Sequence, residues 1–145
     1  MINDKNYELA VRLRRQLHQH PELSLEEHWT KQHLMAFLKE HTAKWDVIDR
    51  GRWFYAVYRG TGAENQKAKK KVALRADFDA LPLYDDIDAE WKSQIDGVGH
   101  KCGHDGHAAN LCFTALEIEE QGCTAWNVGF HITMSFRRRE TIRSW

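Results

Sequence analysis

A mixed α/β fold is predicted from three observations. Apolar residues return at helical spacing in three stretches, they alternate with polar residues in two others, and one short continuous apolar run ends in acidic and turn residues. Leu9, Leu13 and Leu17, with Val11 nearby, form a stripe among Arg12, Arg14 and Arg15, so a first helix is expected over 4–19. Pro21 closes it, because the residue before a proline is pushed out of the helical region. Ser24 with Glu27 three residues on has the form of a capping box. Leu34, Phe37 and Leu38 then supply the apolar face of a second helix reaching about His41.

The pattern changes to alternation between Trp45 and Arg59. Val47 and Ile48, then Trp53, Tyr55 and Val57, are separated by Arg50-Gly51, which predicts two strands joined by a short turn. Residues 60–71, with Lys67, Lys69, Lys70 and Lys71, form a polar basic loop whose simplest reading is a solvated connection. Val72 to Ala76 is the buried strand, followed by Asp77, Asp79 and Pro82. Acidic residues just beyond a strand end suit ligand chemistry in an open α/β sheet, although an Asp-rich turn explains the spacing alone more simply. The stretch 85–90 is expected to be a solvated acidic loop. Ala108, Leu111, Cys112, Ala115 and Ile118 predict a third helix from His104 or Asp105 to about Glu120, stopped by Gly122. Trp126, Val128, Phe130 and Ile132 suggest one more strand. A sheet with helices packed on it accommodates this order better than an all-α or all-β fold.

Composition narrows the function. The 145 residues suffice for one domain, but Leu, Ile, Val and Phe make up only about a fifth of them, so a folded yet marginal core is expected. A net charge of +0 gives no field to concentrate nucleic acid or an anionic membrane, and neither is an expected partner. No apolar run approaches a bilayer span, and the polar N-terminus lacks a signal-peptide core, so a cytoplasmic setting is expected. Cys102, Cys112 and Cys123 fit no disulfide framework and are expected reduced, with Cys112 and Cys123 serving as small apolar residues.

The chemistry concentrates in His100-Lys101-Cys102-Gly103-His104-Asp105-Gly106-His107, where one thiol, three imidazoles and a carboxylate lie within eight residues. Thiolate and neutral imidazole suit zinc, and also cobalt, nickel, iron or manganese. Cys102 and His104 can address one ion from an irregular turn, but a stable zinc centre needs about three or four ligands.

Three motifs in order carry a resemblance: His20-Pro21-Glu22-Leu23-Ser24 with Glu26-Glu27-His28, then Leu74-Arg75-Ala76-Asp77-Phe78-Asp79-Ala80-Leu81-Pro82, then Cys102-Gly103-His104-Asp105-Gly106-His107. Over roughly Leu9 to Phe130 the chain resembles the N-terminal portion of the metal-dependent amidohydrolases. That family includes hippurate hydrolase, N-acyl-amino-acid amidohydrolases and auxin-conjugate hydrolases. The resemblance implies a three-layer, zinc-peptidase-like α/β catalytic domain, incomplete here, with a mixed sheet flanked by helices, two divalent ions and a separate dimerisation domain. It implies metal-ligand roles for Cys102 and His104, and for Asp79 the role of orienting an imidazole ligand. Asp77 and Asp105 are expected either to do similar work or to cap the turn and helix. His107 is as well suited to packing as to binding, and His18 and His20 are expected to be structural. The activity implied is cleavage of an N-acyl amino acid by a metal-activated water, with a glutamate as general base.

The resemblance stops at residues 131–145, which form a divergent tail. Where the family carries a Gln-x-Ala-Glu-Glu motif, this chain has His131-Ile132-Thr133-Met134 and then Arg137-Arg138-Arg139, whose charge repels a dication. Without that glutamate pair and the later ligands, the chain alone is expected to be inactive, either a non-catalytic fragment or a small metal-binding module. Self-association through an uncovered sheet edge is expected.

Overall fold

The computed structural model describes residues 2–58, 70–122 and 128–134. Three helices and four strands follow in the order α1 (Asp4–Gln19), α2 (His28–His41), β1 (Trp45–Asp49), β2 (Phe54–Tyr58), β3 (Lys70–Ala76), α3 (His104–Gln121) and β4 (Val128–Met134). The mixed α/β architecture expected from periodicity is the one observed. Of the 60–71 loop only Lys70 and Lys71 are described, at the start of β3, and Cys123, Trp126 and Arg137–Arg139 lie outside the described residues.

Asn3 caps α1, its Oδ1 accepting from the Lys5 and Asn6 amides at 2.9 and 3.3 Å. Its Nδ2 donates to Glu120 near the far end of α3, at 2.6 Å, which ties the start of α1 to the end of α3. The second helix begins later than the capping box predicts. Glu27 makes no side-chain cap. The carboxylate of Glu22 does the work instead, accepting from the Trp29 and Thr30 amides at 3.1 and 2.7 Å. Pro21 and the positive φ of Leu25, 79°, fold the intervening segment so that Glu22 returns to the helix it precedes.

The sheet runs β1-β2-β4-β3, antiparallel at the first two pairings and parallel at the last. Arg50-Gly51 turns the hairpin as expected, with the Arg50 amide on the Trp53 carbonyl at 2.8 Å and Gly51 at φ +80°. In β2 the buried set is Phe54, Ala56 and Tyr58, while Tyr55 and Val57, picked out by the alternation, are only half-buried on the other side. Both faces of this strand carry large apolar groups, so alternation alone does not say which faces the helices. The core joins Leu13 and Leu17 of α1, Leu34 and Leu38 of α2, Trp45, Phe54, Phe78, and the alanine-rich face of α3 including Ala108, Cys112 and Ala115. Small residues there let α1 approach α3 closely. No helix among the described residues is long and apolar enough to cross a membrane.

Candidate metal centre

Two isolated bridges assemble the site beyond the ends of the sheet. Leu23 pairs with Ala80, the Ala80 amide donating to the Glu22 carbonyl at 2.8 Å, and Leu81 exchanges both backbone bonds with Gly99 at 3.1 and 3.0 Å. The Asp77–Pro82 segment is thereby held between the Pro21–Leu23 turn and the approach to α3. Glycine relieves crowding at position 99, because a Cβ there would stand 3.2 Å from the Leu83 carbonyl oxygen and 3.3 Å from Asp85 Cβ.

This arrangement brings Asp79 onto His104. The imidazole Nδ1 lies 2.8 Å from Asp79 Oδ1 and 3.0 Å from the Asp79 carbonyl oxygen. Two acceptors on one nitrogen fix the proton at Nδ1 and leave the lone pair on Nε2, the atom an ion would meet. His104 is the first residue of α3. Cys102 stands exposed two residues earlier as a free thiol, with Gly103 between them in the left-handed region at φ +81°. One soft sulfur and one oriented imidazole fit a divalent transition ion in kind, though not in number. Among the described residues, no group of three or more His, Cys, Asp or Glu side chains is placed to hold an ion.

Of the remaining acidic residues, Asp77 pairs with Arg75 on the strand that precedes it. Glu27 is buried, and burial, reinforced by the charge of Asp79, holds its carboxyl above the ordinary value. Cys112 is fully buried in the core, where desolvation pushes its thiol well up, as suits a small apolar residue. His107 is exposed, its ring 5.6 Å from that of His104. His20 packs at a tilt against Trp29, which in turn stacks on His33, at centroid distances of 4.7 and 4.6 Å.

A buried polar network lies behind the centre. His18 is 4% exposed, with Nδ1 2.7 Å from Asp105 Oδ2 and Nε2 3.1 Å from Asp85 Oδ2. Arg14 Nε reaches the same Asp105 oxygen at 2.8 Å, and Lys101 Nζ reaches Asp85 Oδ1 at 2.8 Å. Asp105 therefore does not cap α3; it is turned into the protein. In the stretch 85–90, expected to be a solvated loop, Asp86, Asp88 and Glu90 are exposed, but Asp85 departs from that expectation at 8% exposed. Burial alone would raise the Asp85 carboxyl, yet Lys101, the Ser93 amide and His18 together hold it well below the ordinary carboxylate range. Asp85 and Lys101 are 16 positions apart, and no local pattern joins them. His100 is buried beside this network with neither ring nitrogen partnered among the described residues, and desolvation lowers its pKa to about 4, so it is neutral.

No protein-family model matches the chain. An uncharacterized hydrolase from Staphylococcus aureus is 42% identical over 127 residues, which is 85% of this chain and 31% of that protein. Among solved structures, a dinuclear metal binding peptidase of the M20 family from Bacillus subtilis superposes with a TM-score of 0.79 at 27% identity, over 91% of this chain and 36% of that one. The chain is similar to a metal peptidase of the M20 family and to curated hydrolases, over about a third of their length. An aminohydrolase candidate from methicillin-resistant Staphylococcus aureus, with TM-score 0.70 and 31% identity over 90% of this chain and 33% of that one, agrees. The three-layer zinc-peptidase type of fold implied by the motifs is thus the type to which the described elements correspond. The chain spans about a third of the length of the curated hydrolases it matches.

Proposed function

We propose that this chain is the metal-gripping part of a hydrolase that cleaves the amide bond of N-acyl amino acids, and that these 145 residues alone do not turn over. The observation that carries the reading is the Asp79–His104 contact at 2.8 Å, with the exposed thiol of Cys102 two residues before His104 in the chain. Cys102 and His104 would hold the ion, zinc being the best match to their donors and manganese, nickel, cobalt or iron the others. A bound ion supplies a water acidified toward neutrality and polarises the amide carbonyl. Asp79 keeps the His104 proton on Nδ1 and raises the basicity of the imidazole. The general base has no counterpart among Cys102, His104 and Asp79, and its loss typically costs about 10² to 10⁴ in rate.

The alternative, a small structural zinc module, asks for a closed set of four ligands. A cytoplasmic setting suits the free thiols Cys102 and Cys112. The test combines metal analysis of the purified chain with cleavage of N-acetyl and N-benzoyl amino acids after loading with zinc, manganese or cobalt. Bound metal without measurable turnover is expected. Turnover in the ordinary range of about 1 to 10³ per second would overturn the inactive part of the proposal.

A further inference from the structure

The two residues that bracket the Cys102-Gly103-His104 turn are both drawn into one buried system. Lys101, immediately before the turn, holds Asp85 Oδ1 at 2.8 Å and Asp86 Oδ1 at 2.7 Å. Asp105, immediately after it, is held by Arg14 at 2.8 Å and His18 at 2.7 Å. His18 closes the circuit, since its other nitrogen lies 3.1 Å from Asp85. The Ser93 amide, 2.9 Å from Asp85 Oδ2, ties in the loop before the turn.

We infer that His18 is a positioning residue, the keystone of a clamp running Lys101–Asp85–His18–Asp105 that sets the separation and direction of Cys102 and His104 before any ion arrives. Three things support this beyond contact alone. Within the turn Asp79 holds the His104 ring, but Cys102 is exposed and joined to it only through Gly103 at φ +81°, so the place of the sulfur depends on the ends of the turn. Both ends meet a carboxylate that is almost fully buried, where a charge bond is hardly screened and a broken one leaves an unpaired charge. Finally, His18 sits in the last turn of α1, a helix anchored against α3 at its other end by Asn3 and Asn6 on Glu117 and Glu120, so the imidazole hangs from a fixed support. The consequence for metal affinity rests on the Cys102–His104 reading proposed above; the clamp itself does not.

Amide hydrogen exchange on the metal-free 145-residue chain reads the clamp directly. The reporter is the His107 amide, bonded at 3.0 Å to the carbonyl of Gly103 in the first turn of α3, and the control is the Thr42 amide on the Leu38 carbonyl at 2.9 Å, at the end of α2. In His18→Leu the His107 amide is expected to exchange at least tenfold faster with Thr42 unchanged. His18→Gln, which keeps one donor, should fall between that variant and wild type. If His18→Leu unfolds the chain, Lys101→Met cuts the circuit at its partly exposed end and must show the same local loss. Cobalt(II) titration of the same proteins should show affinity reduced about 10- to 100-fold in His18→Leu, with a weaker thiolate-to-cobalt absorption at saturation. Unchanged His107 protection in His18→Leu, or in Lys101→Met where His18→Leu does not fold, overturns the inference. Local loss of protection in a chain whose wild type binds no cobalt would support the clamp and defeat the metal reading instead.

Discussion

Asp79 reaches His104 with both a carboxylate oxygen and its own backbone carbonyl, so the side chain adds charge and basicity to an orientation the backbone partly provides. Asp79→Ala is therefore expected to weaken metal binding by about 10- to 100-fold, and Asp79→Asn, which retains an acceptor, by less; isothermal titration with zinc separates the two. Asp85 acts on stability. Its carboxyl is held below its ordinary value of 3.8, so it contributes fully above that pH and the contribution is lost as pH falls toward the depressed value. Urea midpoints followed from pH 5 downward should drop more steeply in wild type than in Asp85→Asn. Cys102, His104 and Asp79 were conspicuous in the sequence because their chemistry lies in contiguous motifs. Asp85 was not, because an aspartate beside Asp86 and Asp88 has the composition of a solvated loop until tertiary structure supplies Lys101 and His18.

At the level of elements, helices α1 and α3 were readable to within a residue or so, since strong stripes met unambiguous ends at Pro21 and Gly122. The start of α2 was misread. Ser24 and Glu27 satisfy the capping-box pattern, but Glu22 reaches the first amides of the helix from six residues before it, a contact made by the fold of the intervening turn. Glu22→Ala is expected to destabilise the chain by about 1 kcal/mol, while Ser24→Ala is close to neutral, as thermal or urea denaturation will record. Glu22 belongs to the motif that carries the resemblance, and its role here is to fix the segment that bridges Ala80, hence the position of Asp79.

For the whole molecule, periodicity gave the order of elements but not their order in the sheet. Strand β4 inserts between β2 and β3, and that pairing spans some 60 to 80 residues of chain, so no local signal encodes it. Strand β4 also runs through His131 to Met134, the first residues of the tail expected to diverge, and its backbone pairs along that length. Among the described residues β1 and β3 pair on one side only, and Val72 of β3 is 39% exposed. An open edge with exposed apolar residues recruits further strands. Self-association is accordingly expected to rise with concentration in sedimentation velocity, and a compact monomer at all concentrations would count against it.

Cobalt(II) titration of the wild-type chain beside Cys102→Ser and His104→Ala, followed by absorption, probes the metal centre most directly. Wild type is expected to take up cobalt with a thiolate-to-metal band that Cys102→Ser abolishes, and His104→Ala should weaken the uptake. Absence of that band in wild type, or its survival in Cys102→Ser, would contradict the assignment of Cys102 and His104 as the ligand pair.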